Sequence, residues 1–190
     1  MRDFFYTDYM TAAVQIQEET DSLVEQRFER IGKTIYAMSS PGYKHQMVLL
    51  AIGVQLRDQL QKTDCLPIVA PFDVYPLYDL GDENTLVQPD IFLACDKTKL
   101  KENRYTGAPK FIIEILSSNR SHDMVTKLNL YQKAKVEEYW MVDPEEKIIT
   151  VLELSNADSY ICHSYSAETK LSLITIPGCT VDFHRVFEGI

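Results

Sequence analysis

Two acidic residues lie within apolar segments of this chain, where burying their negative charge costs free energy. Residues of this type suit phosphodiester hydrolysis. Asp90 opens the apolar run 91–95, and Glu114 interrupts the apolar run 111–116. Burying a carboxylate costs free energy unless it is paired or holds a metal. Side chains alternate along strands, and neighbouring strands lie about 4.8 Å apart, so these two carboxylates can face each other. Their positions predict one shared hard cation, such as Mg²⁺ with oxygen ligands.

A lysine is the third member of the predicted site. Lys127 follows Met124 by one helical turn and precedes Tyr131 by one turn, so it lies beside the apolar stripe of a predicted helix. A long side chain at that position can reach over the sheet edge toward the carboxylates. A metal ion with a lysine beside it would polarise a phosphodiester and activate water.

Each of these residues also has a simpler interpretation. Asp90 follows Pro89 and can cap a turn at the entry to a strand. Glu114 can be the partner of a buried cation. Lys127 can be one of several solvated lysines on a helix surface.

Four further residues are weaker candidates. His45 begins the buried stripe of a long predicted helix, where it either caps the core or touches a metal-bound water. Asp73 is a third acid in an apolar strand, but the prolines nearby favour an edge-strand position over a ligand role. Glu29 and Tyr131 are supporting candidates.

Length and composition predict one globular domain over residues 1–190. Apolar residues make up 45% and charged residues 25%, which is ordinary for a water-soluble protein. No apolar run approaches the roughly 18 residues that span a bilayer, and the first residues lack the apolar region of a secretory signal. The four cysteines form no C-x-x-C pair. We therefore predict reduced thiols in a cytoplasmic protein that does not contact membranes.

The net charge of −9 weighs against broad nonspecific binding of nucleic acid, which usually relies on a basic surface. One local exception is a group of five cations around a single loop. It is either a basic rim beside the acidic site or an ordinary solvated loop. These residues are Lys97, Lys99, Lys101, Arg104 and Lys110.

Polar breaks divide the chain into helices and strands. Helices are predicted in residues 7–26, 43–60 and 122–135, and a hairpin in residues 28–38. Further strands are predicted at 67–75, 87–95, 110–116, 136–143, 147–154, 160–165 and 171–176. A helix between two strands that can lie parallel indicates an α/β or mixed α+β fold.

Several sequence blocks then occur together. They are Gln88-Pro89-Asp90-Ile91, residues 107–117 around Glu114, Asp123-x-x-x-Lys127-x-x-x-Tyr131, and residues 136–144, with Ser40-Pro41 ahead of His45. In this combination the chain strongly resembles the Uma-two restriction-endonuclease-like family of the PD-(D/E)xK nuclease superfamily. The resemblance covers most of the chain. It implies a central mixed sheet flanked by helices, with N-terminal helices, a hairpin and C-terminal strands added.

The resemblance also implies site roles. The acidic motif residues map onto Asp90 and Glu114 as metal ligands, and Lys127 matches the family's Asp-x-x-x-Lys pattern. Two positions depart from expectation. Leu116 stands where nucleases of the superfamily usually have lysine, and Lys135 replaces the glycine usual before Val136.

Two functions from different classes follow. The first is a nuclease that uses Mg²⁺ or Mn²⁺ and cuts nucleic acid, with DNA as the expected substrate and a homodimer as the expected assembly. The second is a catalytically inactive nuclease-fold protein that binds a partner or nucleic acid. The retained Asp90, Glu114 and Lys127 favour the first, and Leu116 with the acidic composition favours the second.

Overall fold

The computed structural model describes residues 27–117 and 120–190. The helices are α1 (Tyr43–Leu60), α2 (Arg120–Lys133) and α3 (Phe183–Val186), with a 3₁₀ turn at Tyr78–Leu80. The strands are β1 (Phe28–Ile31), β2 (Thr34–Ala37), β3 (Leu66–Val69), β4 (Asp73–Tyr75), β5 (Ile91–Ala94), β6 (Arg104–Thr106), β7 (Phe111–Ile115), β8 (Glu138–Asp143), β9 (Ile148–Leu154), β10 (Tyr160–Ser166), β11 (Lys170–Ser172) and β12 (Thr180–Asp182). The helices predicted in residues 7–26 lie outside the described residues.

A six-stranded mixed sheet forms the centre, in the order β10-β9-β8-β7-β5-β3. Only the β7–β8 pair is parallel among these strands, and α2 makes the crossover between them. Strands β5 and β7 are buried along their whole length, as expected for strands covered on both faces. The predicted central mixed sheet with flanking helices is confirmed.

Each face of the sheet has its own apolar core. On one face, α1 places Val48, Ile52 and Leu56 against β5 and β7, where Ile91 and Ile113 lie. Buried residues of α1 recur at spacings of three and four, as at Leu49, Ile52 and Leu56, which is the reason that α1 forms where the sequence predicts it.

The opposite face is covered by α2. Here Tyr131 and Leu130 pack with Phe92, Ile112 and Tyr139. The rings of Tyr131 and Tyr139 meet edge to face, with centroids 5.0 Å apart.

No helix in the described ranges combines the length and the apolar character that crossing a membrane requires.

Three element predictions are wrong in detail. The predicted strand 67–75 is two strands, β3 and β4, separated at Pro71, whose missing N–H group cannot continue a ladder. The segment between the predicted strands 87–95 and 110–116, where a loop is expected, contains β6, which pairs with β4. The predicted strand 171–176 ends early, and its hairpin partner is the unpredicted β12.

The prediction of reduced cysteines is also wrong. Cys65 and Cys95 form a disulfide. They extend the antiparallel register of β3 and β5, in which Leu66 opposes Ala94, so the fold brings directly together two residues 30 positions apart. Spacing along the chain gave no sign of this pairing. Cys162 is exposed and Cys179 buried as free thiols.

The end of α2 explains why glycine is expected at position 135. Lys135 has a φ of +62°, in the left-handed region. The Lys135 N–H donates to Gln132 O, and the Val136 N–H donates to Tyr131 O, which is the bonding pattern of a Schellman motif. Any L residue other than glycine is strained at this position.

We therefore predict that Lys135→Gly stabilises the protein by about 1 kcal/mol, because relief of the left-handed strain exceeds the added chain entropy. The ion pair lost with Asp158 is exposed and contributes little. Lys133→Gly, two residues earlier inside α2, should destabilise by a similar amount. Urea unfolding measures the free energy of unfolding of both variants. Changes of the same sign in the two variants would contradict the prediction.

Candidate active site

The two predicted carboxylates lie opposite each other at one end of the sheet. The register of β5 and β7 pairs Ile91 with Ile113, and one step further it places Asp90 across from Glu114. The Ile115 N–H donates to Asp90 Oδ2 at 2.7 Å, which fixes the Asp90 side chain against β7. Both carboxylates line one cavity of about 660 Å³. The expectation that they share a cavity from adjacent strands is confirmed.

Lys127 reaches this pair from α2. Its Nζ lies 3.1 Å from Glu114 Oε1 and 3.1 Å from Glu29 Oε1, and the residue is only 6% exposed. The expected closeness of Lys127 to a carboxylate is confirmed, and the solvated-helix interpretation is wrong. Leu116 lines the same cavity, so an apolar side chain occupies the place where lysine was expected.

Glu29 belongs to the site through the N-terminal hairpin. It lies on β1, is 3% exposed, and accepts a hydrogen bond from the Gln88 N–H at 2.8 Å. The hairpin is fixed to the chain ahead of β5 by backbone hydrogen bonds in both directions between Arg30 and Leu86. A glutamate far away in sequence therefore becomes the second carboxylate on Lys127.

Tyr131 also contacts Glu114. Its hydroxyl donates to Glu114 Oε1 at 2.6 Å from a fully buried position. Burial, followed by the neighbouring carboxylate of Glu114, raises the pKa of Tyr131 well above its usual value, so the hydroxyl stays a donor. Lys127 and Tyr131, one turn apart on α2, thus bind the same glutamate oxygen.

His45 approaches from the opposite layer. It lies in the first turn of α1, and its Nε2 is 3.1 Å from Asp90 Oδ2. Its Nδ1 is buried and has no hydrogen-bond partner among the residues that the structure describes. The cavity therefore lies where α1 and α2, on opposite faces of the sheet, meet around its end.

Gln88 lines the cavity but was not predicted as a site residue. Gln88 lies two positions before Asp90, its N–H binds Glu29, and its Nε2 donates to Asp73 Oδ1 at 2.8 Å. Its Oε1 is buried without a partner in the described part of the chain. The alternation of side chains along an extended chain was the available signal, because positions 88 and 90 share a face.

Two other candidates lie apart from the cavity. Asp73 does not line it and binds Gln88, which agrees with the edge-strand interpretation. None of the five loop cations lines it either, so the basic-rim interpretation is wrong. Three of them pair with acids instead: Lys97 with Asp64, Lys99 with Asp79, and Lys110 with Glu137.

The centre of the site carries more negative than positive charge. Glu29 and Glu114 contact the Lys127 ammonium, and Asp90 lies across from Glu114. The Arg27 guanidinium is a second cation in the cavity lining. Burial raises the pKa of Glu114 to about 8. Lys127 opposes this shift, while Asp90 and Glu29 add to it, because like charges disfavour the ionised form. Without another cation, Glu114 holds a proton over much of the neutral range.

The donor set suits a hard cation bound by few protein ligands. In the described ranges, no group of three histidine, cysteine or acidic residues is arranged to hold a metal. Mg²⁺ differs from zinc in this respect, since it keeps several waters and binds through one or two carboxylates. Asp90 and Glu114 supply two, and the described hydrogen bonds to them use Asp90 Oδ2 and Glu114 Oε1.

The raised pKa of Glu114 generates a prediction for stability without metal. The folded state keeps a proton that the unfolded state releases above pH 4.5, so stability falls as pH rises from about 4.5 to about 8. Glu114 contributes at most about 1.4 kcal/mol per pH unit to the fall in the free energy of unfolding. Urea unfolding in EDTA at several pH values measures it. Glu114→Gln should lose this part of the slope, whereas exposed Glu168→Gln should keep it, and equal slopes in both variants would contradict the prediction.

Comparisons with known proteins identify the family and the fold of this chain. A family model described as "Uma2: Putative restriction endonuclease" matches residues 17–184. The crystal structure of "a putative nuclease belonging to DUF820" from Anabaena variabilis has the same fold, with a TM-score of 0.71 and 17% identity, over 87% of this chain and 92% of that chain. A comparison with curated proteins gave no match. Since the family model matches most of this chain, the chain belongs to the Uma2 family.

Proposed function

We propose that this chain is a nuclease that hydrolyses phosphodiester bonds of DNA with the help of Mg²⁺ or Mn²⁺. Asp90 and Glu114 hold the metal, and Lys127 stabilises negative charge or positions the attacking water. The description of the Uma2 family, "Putative restriction endonuclease", supports this reaction class. The observation that carries the proposal is the meeting of Asp90, Glu114 and Lys127 at one cavity.

The charge balance supports a metal at this place. The cavity lining has three carboxylates and two fixed cations, the Lys127 ammonium and the Arg27 guanidinium. The remaining negative charge is costly to bury unless a proton or a cation compensates it. Mg²⁺, when bound, neutralises phosphate charge and lowers the pKa of a bound water. The chain's own contribution is to hold Asp90 and Glu114 across two adjacent strands, so that both carboxylates face the phosphate.

Lys127 contributes a charge of fixed position. Its ammonium lies 3.1 Å from Glu29 Oε1 and from Glu114 Oε1, so it needs no reorganisation when substrate enters the cavity. Preorganised donors aimed at developing negative charge are a large source of rate enhancement. Glu29 acts as a positioning residue, because it contacts Lys127 and stays buried behind it.

His45 and Tyr131 are positioning residues for the two acids. His45 contacts Asp90 Oδ2, and Tyr131 donates to Glu114 Oε1, so each acid has one oxygen fixed by the protein. This arrangement leaves the second oxygen of each acid as the donor for a cation. Misplacement of either acid by about 1 Å would cost rate on the order of 10²-fold.

Leu116 favours a second candidate function. An apolar side chain lines the cavity where the superfamily usually has a lysine, as in a nuclease-fold protein that binds nucleic acid or a partner without cutting. The position of Lys127 beside Glu114 supports the active enzyme over this alternative. A binding protein would bind nucleic acid equally well with and without divalent cation.

We predict that Asp90→Asn and Glu114→Gln each reduce cleavage to the level seen in EDTA, while the fold is kept. Each variant keeps the shape of the side chain and removes the charge that a hard cation needs. Because each also relieves repulsion between carboxylates, its melting temperature in EDTA should equal or exceed that of the parent. The assay incubates single- and double-stranded DNA and RNA with Mg²⁺, Mn²⁺ or EDTA.

Glu138→Gln is the matched control. Glu138 is a fully buried glutamate of the same sheet, outside the cavity, and accepts hydrogen bonds from Trp140 Nε1 and from the N–H and hydroxyl of Thr175. Its replacement should lower stability by about 1–3 kcal/mol and leave metal-dependent cleavage intact below the melting temperature. Cleavage that survives in Asp90→Asn and Glu114→Gln would overturn the assignment of the site. Metal-independent binding by the parent without cleavage of any substrate would favour the inactive alternative.

A further inference from the structure

The outermost strand of the central sheet presents a long open edge. Strand β10 is last in the sheet order and pairs with β9 along all seven of its residues, from Tyr160 opposite Leu154 to Ser166 opposite Ile148. On its other side it pairs with no strand in residues 27–117 or 120–190. Such an edge exposes a row of backbone N–H and C=O groups that can pair with another chain.

The edge lacks the features that usually prevent such pairing. The sequence of β10, Tyr-Ile-Cys-His-Ser-Tyr-Ser, contains no acidic residue, lysine, arginine or proline. Its register with β9 is continuous, without a bulge that would twist the edge away. Six of its seven residues are exposed, including Ile161 at 49% and Tyr165 at 36%.

Contacts within the chain fix the position of β10 in the absence of a partner. The Tyr160 hydroxyl donates to Val136 O at 2.9 Å, and its ring lies 6.4 Å from the ring of Tyr139 in the adjacent core. A preorganised edge lowers the ordering cost of association.

We propose that β10 is an interface with a second copy of this chain, in which the two β10 strands pair antiparallel about a twofold axis at His163 and the two sheets join. The interface is isologous, so each contact occurs twice. Ile161 then lies opposite Tyr165 of the partner subunit, and Cys162 lies opposite Ser164 of the partner subunit. Pairs of aromatic and β-branched residues across strands are stabilising.

The number of residues that pair favours this register, and the net charge of the chain favours β10 as the place where two copies meet. A twofold axis at His163 pairs all seven residues, whereas an axis at Cys162 or Ser164 pairs only five and separates the Ile161–Tyr165 match. The chain carries a net charge of −9, so two copies repel at most surfaces. The uncharged strand β10 is a surface where this repulsion is small.

A different surface offers a rival interface. Four large apolar residues form a stripe on the outer side of α1, each between 49% and 72% exposed, at spacings of four, three and four: Tyr43, Met47, Leu50 and Val54. Nothing in the described structure shows what covers this stripe. It therefore enters the test as the competing outcome.

The first experiment measures molar mass by light scattering across a concentration series. The parent should approach twice the 21.9 kDa chain mass as concentration rises. Ile161→Lys should weaken the dimer at least tenfold, because a lysine replaces one apolar contact on each side. Ile174→Lys, at a site equally 49% exposed but outside β10, should leave it unchanged. A parent that stays monomeric, or a dimer that survives Ile161→Lys and is lost in Leu50→Lys, overturns the proposal.

The second experiment tests the register by disulfide formation with diamide as the oxidant. Ser164→Cys should give a covalent dimer through Cys162 of the partner subunit, across the strands in the manner of Cys65 and Cys95. The parent should not cross-link, because Cys162 is its only exposed free thiol and lies opposite a serine. The double variant Cys162→Ser with Ser164→Cys should not cross-link either. Efficient cross-linking of the parent, or equal cross-linking of both variants, overturns the register.

Discussion

The ammonium of Lys127 lies between the carboxylates of Glu114 and Glu29, and the candidate site depends on this buried contact. It joins α2 to the preceding strand β7 and to the N-terminal hairpin, which is far from both in sequence. Removing Lys127 would leave both carboxylates without this cation, and loss of one partner from a buried pair usually costs about 3–5 kcal/mol. The contact does not balance the site, however, since Asp90 adds a third carboxylate. The excess of acidic over basic side chains in the cavity is the feature that supports the proposed cation site.

The fold places this charge at the end of the sheet, where buried strands open to a cavity. Antiparallel pairing brings the start of β5 beside the end of β7, so Asp90 and Glu114 meet although 24 positions separate them. The two helices cover opposite faces and each sends one side chain around the sheet end, His45 from α1 and Lys127 from α2. Apolar cores on both faces hold these elements rigidly, which preorganises the site.

Much of this arrangement follows from local sequence signals. The α1 stripe, the hairpin at Gly32 and the mainly apolar strands β5 and β7 are readable because periodicity and turn chemistry are local. Side chains alternate along a strand, and the positions of Asp90 and Glu114 were enough to predict that their carboxylates meet if the two strands are adjacent. The Cys65–Cys95 disulfide and the place of Glu29 were not readable, because each depends on which strands pair over distances of 30 residues or more. The sequence left two interpretations of the basic loop open for the same reason: local charge was visible, and the pairing of its lysines with Asp64, Asp79 and Glu137 was not.

The claim that Asp90 and Glu114 form a divalent-cation site is tested most directly by anomalous X-ray scattering from crystals soaked in Mn²⁺. The account predicts a manganese peak in the cavity, bound by oxygens of both Asp90 and Glu114 and lost in Glu114→Gln crystals soaked in the same way. Soaking above pH 8 favours the ionised form of Glu114, whose pKa is raised to about 8. Manganese bound elsewhere on the chain, or a cavity without a peak at saturating Mn²⁺, would contradict the account.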